Sequence, residues 1–193
     1  SNYDSFHYYS TLVDPEFQMG PTIEKLAGLL ALRLSERAIV DYDIMRYPVD
    51  LRLHFSSATD KVKDYYSEFE GFASSSKSIQ SLEEIAIELN KSLLRISSQE
   101  LNNNILKEIN TLLIGLEKSF IEEKGMDYGA WYRSLYASTD PFSGYASWML
   151  PGIEYEVALK RIDNLNAWDL RYAEAIDRLT SKMKTLNVYL NEL

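Results

Sequence analysis

The chain has 193 residues, 46% of them hydrophobic, which suits one domain with a substantial core and is too apolar for a disordered tail. It carries 29 acidic against 20 basic side chains, a net charge of −9 without a basic stripe, so no nucleic-acid partner is expected. There is no Cys, which excludes disulfides and thiolate sites, and no apolar run reaches the roughly 18 residues of a membrane span, so no membrane contact is expected from this segment itself.

The periodicity is helical nearly throughout, with no convincing alternation of the strand kind. Residues 2–12 read as a short aromatic helix capped by Ser1 or Asn2. This acidic start lacks the basic end and apolar middle of a signal peptide, so a membrane anchor would lie upstream. Asp14 and Pro15 suit the cap and first position of a second helix. There Ile23, Leu26, Ala27, Leu30, Ala31 and Leu34 form a core-facing stripe, widened by Leu29 and Leu32, which predicts a helix buried on most sides. Gly20-Pro21 predicts a kink or a second start, because proline removes a helical hydrogen bond.

Residues 48–70 predict a third helix with Leu51, Phe55, Ala58, Val62, Tyr65 and Phe69 on one face. Gly71 to Ser78 reads as a small-residue linker and a mobile loop. Ser81 and Glu84 form a capping box for a helix with the stripe Leu82, Ile85, Leu89, Leu93 and Ile96, broken near Ser97 to Gln99. A helix over 100–123 follows, with Leu106, Ile109, Leu113, Leu116 and Phe120, ending at a Gly125 cap. The short connection predicts that these two helices form an antiparallel hairpin. Residues 124–152 break the rhythm with Gly, Pro and the aromatics Tyr128, Trp131, Tyr132, Tyr136, Phe142, Tyr145 and Trp148, a long loop of the kind that is often functional. Gly152 to Leu165 predicts a short helix using Ile153, Val157 and Ile162. Residues 166–190 predict the last, with a heptad-like seam of Ile176, Leu179, Met183, Leu186 and Leu190. The whole reads as an all-α helical bundle of about six to seven helices, one domain over 1–193, with the aromatic loop before the last two helices.

No catalytic constellation stands out. His7 and His54 are the only His, on separate predicted helices; with no Cys, a metal site within the chain is not expected. His7 reads as the polar face of the aromatic helix and His54 as surface, and no G-x-S-x-G turn places a nucleophile beside either. Glu83-Glu84 and Glu122-Glu123 project about 100° apart on a helix and cannot converge as acid and base. No glycine loop cradles phosphate, so no catalytic residue, metal or cofactor is assigned to this chain.

Several strings together carry a resemblance. Ser1-Asn2-Tyr3-Asp4-Ser5-Phe6 leading to Asp14-Pro15-Glu16-Phe17 resembles the start of the C-terminal helical domain of the transferrin receptor and glutamate carboxypeptidase II family. Gly28-Leu29-Leu30-Ala31-Leu32-Arg33-Leu34, Leu116-Glu117-Lys118-Ser119-Phe120-Ile121, Tyr132-Arg133-Ser134-Leu135-Tyr136-Ala137 and Tyr145-Ala146 followed by Pro151-Gly152-Ile153 are similar to later segments in the same order. In peptidase members a zinc-binding His directly precedes the residue matching Ser1. The resemblance thus implies that residues 1–13 join this domain to an upstream zinc-peptidase-like domain, with zinc in the parent if it is active. It implies a homodimer, packing on the upstream domain of the same chain, and a single-pass membrane parent. That parent would belong to the endomembrane or vacuolar system or the cell surface, with this domain lumenal or extracellular. The opening string leans toward peptidase-like members, fungal vacuolar-sorting and receptor-like homologues included.

In glutamate-specific members a Lys-Tyr pair in the loop holds the substrate's glutamate end. Tyr145 matches the Tyr and is the candidate substrate-binding residue; Gly144 stands where the Lys would be and offers no cation. A non-catalytic helical adaptor that binds partner helices through the 176–190 seam is the alternative.

Overall fold

The computed structural model describes residues 4–193; the anticipated caps Ser1 and Asn2 lie outside the described residues. The chain divides into two compact units, Ser1–Asp41 and Tyr42–Leu193.

In the first unit, α1 (Phe6–Tyr8) is one turn that widens into a π-helical turn, Tyr9–Val13. Ser5 caps it by accepting the Tyr8 N–H. Next comes α2 (Met19–Ser35), which starts later than Asp14-Pro15 suggested. Asp14 still serves that end: its carboxylate accepts the N–H groups of Gln18, Met19 and Gly20 at 2.9, 2.8 and 3.4 Å. Pro21 falls in the first turn, where its missing N–H leaves no bond unmade, so the helix runs on without a second start.

The larger correction concerns burial. No residue of α2 is buried, and Ile23, Leu26, Leu29, Leu30, Leu32 and Leu34 are 52–69% exposed. The periodicity identified faces that need covering. A unit this short holds too little chain to cover a 17-residue helix on several sides.

The second unit has a dense core. In α3 (Arg46–Lys63) the face Pro48, Leu51, Phe55, Ala58 and Val62 is buried. The helix ends before Tyr65 and Phe69, which lie half-buried in the connection, with the Tyr65 hydroxyl donating to the Arg161 carbonyl at 3.1 Å. The expected linker 71–78 is instead the first turns of α4 (Ala73–Ser97), and Ser81 lies inside that helix. The reason is tertiary. The Asp169 carboxylate accepts the Ser74 and Ser75 N–H groups at 2.9 and 2.8 Å, a cap supplied from 94–95 residues away.

The helix after α4 is shorter than 100–123. Asn102 caps α5 (Asn103–Ile114), and a 3-10 turn, Glu117–Phe120, carries Leu116 and Phe120 into the core. Gly125 ends no helix; its φ of +71° belongs to a tight turn. The anticipated α4–α5 hairpin gives way to a different pairing, in which both helices pack on α7 (Leu165–Asn191). Ser92 donates to Asn187 at 2.7 Å and Arg95 to the Leu190 carbonyl. Partners at the two ends of α4 keep the same offset in sequence, so α4 and α7 run parallel. The seam Ile176, Leu179, Met183, Leu186 and Leu190 is 0% exposed, each side chain contributing about 1.5–3 kcal/mol of burial. It is consumed inside the domain and is not available to a partner helix, the use an adaptor would make of it.

The fold is a mostly α-helical bundle, as expected, with one addition. The aromatic segment holds two three-residue strands, β1 (Ala137–Thr139) and β2 (Ser147–Met149), paired antiparallel. Strands this short show no alternation to detect. The following α6 (Pro151–Ala158) stops well before Leu165, leaving Ile162 exposed in a connection.

Candidate functional site

The segment between the 3-10 turn and α6 is the part of the larger unit with the least regular structure and the most aromatic side chains. Its base is tied to the core by the Leu135 N–H donating to the Phe120 carbonyl at 2.8 Å and the Glu122 N–H to the Arg133 carbonyl at 2.8 Å. A turn then reverses at Gly125. A side chain there would press on the Ala130 backbone at 2.6 Å, so only glycine fits. Tyr128 packs its ring against Tyr132, Trp148 and Tyr155, and its hydroxyl hydrogen-bonds Ser138 at 3.0 Å. Phe142 lies on Trp148 and Tyr155, and Arg161 stands over the Tyr155 ring. These rings fasten the hairpin to α6.

At the other end Leu150 adopts a left-handed backbone and Pro151 opens α6. Gly152 is required, because a Cβ would collide with the Trp168 ring; its N–H donates to the Tyr172 hydroxyl at 3.0 Å. Burial pushes the Tyr172 phenol well above its ordinary range, so it stays a neutral partner.

Tyr145 sits in the turn between β1 and β2 with its side chain 95% exposed. Gly144 before it has φ +71° and open space around it. A largely apolar concavity of the unit does not include Tyr145. It is a cleft of about 560 Å³ with Phe120 at its floor and Tyr42, Arg46, Tyr47, Asp50 and Tyr136 among its walls. Burial, then the charge of Glu117, pushes the Tyr47 phenol up to about 12, and Arg46 is held by Asp50 at 3.0 Å. Tyr47 is therefore a neutral phenol and Arg46 is already paired, while Asp43, Glu117 and Lys118 add further charge to the lining.

The two His do not build a site. His7 is exposed in the first unit. His54 is half-buried rather than fully on the surface, edge-on to Tyr136, and burial lowers its pKa. Glu156 is fully buried but gripped by Arg161 through two 2.9 Å bonds, an internal ion pair. Among the described residues no three His, Asp or Glu side chains converge on a point able to hold a metal ion. No helix among them is long and apolar enough to cross a membrane. Sequence reasoning singled out Tyr145 but passed over Asp140, whose carboxylate organises the turn that carries it. The Asp140-Pro141 pair was the available signal, since Asp favours turns through its own backbone bonds.

Comparison with known proteins agrees with this architecture. Residues 54–184 match the family model described as the transferrin receptor-like dimerisation domain. A probable glutamate carboxypeptidase of Arabidopsis thaliana is 24% identical over 172 residues, covering 88% of this chain and 24% of that protein. A probable glutamate carboxypeptidase of Arthroderma benhamiae is 26% identical over 157 residues, covering 79% of this chain and 21% of that protein. The chain spans about a quarter or less of the length of these curated relatives.

Proposed function

The chain belongs to the family of transferrin receptor-like dimerisation domains, and on that footing we propose that it is the homodimerisation and packing domain of a larger zinc-peptidase-like protein. The family match carries the dimer, and the packing half of the reading rests on α2, whose large aliphatic side chains are more than half exposed. A helix apolar around most of its circumference is the form of an element enclosed by protein. In this reading residues 1–193 act as one domain, 1–13 lead in from the upstream peptidase-like domain, and that domain covers α2. A second copy pairs with the larger unit. Any zinc is bound upstream, where the parent's ligands would lie.

The finer proposals follow the same line. The parent is a single-pass membrane-anchored protein of the endomembrane or vacuolar system or the cell surface, with this domain lumenal or extracellular. The aromatic loop 128–150, which contains the hairpin, helps to close the upstream substrate pocket, and Tyr145 reaches the substrate. Both relatives are described as probable glutamate carboxypeptidases. Gly144 supplies no cation, so a glutamate side chain would find no positive charge on this turn.

Light scattering on the full-length protein tests the main reading. A mass of two chains is expected, and a strict monomer across the accessible concentration range overturns it. Tyr145→Phe in the same protein should raise KM for a dipeptide ending in glutamate; unchanged kinetics removes the pocket-closing role and leaves dimerisation standing.

A further inference from the structure

The backbone of the turn between β1 and β2 is organised around one carboxylate. The Asp140 carboxylate accepts the Phe142 N–H at 2.8 Å and the Ser143 N–H through Oδ1, and the Ser143 hydroxyl and the Ala146 N–H, the latter at 3.1 Å, through Oδ2. Its backbone carbonyl accepts the Gly144 N–H at 3.0 Å. The Tyr145 N–H donates to the Ser143 hydroxyl oxygen at 3.2 Å. Every backbone N–H from Phe142 to Ala146 therefore ends on Asp140 or on a hydroxyl whose direction Asp140 sets. The hydroxyl proton points at the carboxylate, so its lone pairs are left for Tyr145. Asp140 is 5% exposed while Tyr145 stands in solvent. A seven-residue turn with a glycine next to Tyr145 would otherwise sample many states, each losing the geometry of the side chain it presents.

We infer that Asp140 is a positioning residue, which acts through Ser143 to hold the Tyr145 backbone in place, so that its side chain leaves from a fixed, outward-facing point before any partner surface or substrate arrives. The consequence for recognition rests on the proposed role of Tyr145; the preorganisation itself does not. The same network explains how Gly144 is tolerated, since the turn is ordered from Asp140 and not by side chains at its tip.

Hydrogen exchange on the full-length protein tests the preorganisation. Asp140→Ala should speed exchange of the 142–146 amides by about tenfold or more, the scale of losing charge-assisted bonds, while α7 amides stay protected and report an intact fold. Asp140→Asn, which keeps an Oδ1 acceptor, should restore protection at Phe142 and Ser143 more than at Ala146. Ser143→Ala should expose Tyr145 chiefly. Unchanged exchange in Asp140→Ala overturns the inference.

A kinetic arm uses a dipeptide ending in glutamate. If Tyr145→Ala raises KM, Asp140→Ala should raise it comparably with kcat little changed, and the double variant should be no worse than Tyr145→Ala. Additive losses, or a normal KM in Asp140→Ala, overturn positioning. If Tyr145→Ala itself changes nothing, the pocket-closing reading fails, and the exchange data decide the role of Asp140 alone.

Discussion

Two helices of this chain have the same kind of sequence and opposite fates. In α7 the apolar residues at helical spacing are sealed against α4 and α5; in α2 a comparable set stands in solvent. The difference is supply. The larger unit brings α3, α4, α5 and α6 around its core, whereas among the described residues the first adds to α2 only the short aromatic helix of Phe6–Val13. Amphipathic spacing states a demand for cover, and tertiary structure decides who meets it.

The sharpest way to break that comparison is a matched pair of truncations. Leu186→Ala should cost about 2–5 kcal/mol in urea unfolding of the chain, and Leu30→Ala no more than about 0.5 kcal/mol. If the upstream domain covers α2, Leu30→Ala in the full-length protein moves toward the first value; two equal small effects there would remove the argument for cover. Glycines give a second pair, with opposite signs. Gly152→Ala drives a methyl into Trp168 and should lower stability by about 1–3 kcal/mol. Gly28→Ala meets nothing within 4 Å and should stabilise the chain by up to about 1 kcal/mol. Destabilisation by Gly28→Ala only in the full-length protein would mark a close-packed partner at that point.

Smaller effects come from the two carboxylate caps. Asp169→Ala uncaps α4 from within the core and should cost about 0.5–2 kcal/mol, with early fraying of 73–78 by hydrogen exchange. The hairpin turn supplies a pH test. The Ser143 hydroxyl and N–H, then the Ala146 and Phe142 N–H groups, hold Asp140 down to about 2, against burial. A depressed carboxylate stabilises the fold fully above its unfolded value, about 3.9, and that contribution is lost as pH falls through the folded value. Exchange-protected amides at 142–146 should therefore persist at pH 4 and disappear near pH 2. For Asp14, burial raises the pKa but the Gln18 and Met19 N–H groups and the Tyr9 hydroxyl outweigh it, so the sign is the same and the start of α2 should loosen as pH falls through the lowered value.

The last helix was legible in full, because its seam is long, regular and satisfied within the chain. The family was legible too, in strings such as Tyr132 to Ala137 and Pro151-Gly152-Ile153, and the structure supplies a reason for one of them: Gly152 admits Trp168. The serine run 73–78 misled because serine alone favours turns, and the carboxylate that makes it helical belongs to Asp169. β1 and β2 were invisible because three residues carry no period.

By itself the order of residues determined helix content, the apolar face of each helix, the absence of thiol chemistry and the kinship of the domain, since these depend on local spacing and composition. Only the tertiary structure decided that α4 lies parallel to α7 and that α2 keeps its leucines in solvent. Those outcomes depend on groups that meet across long sequence separations or on cover that a short unit cannot provide, and neither is written in any local window.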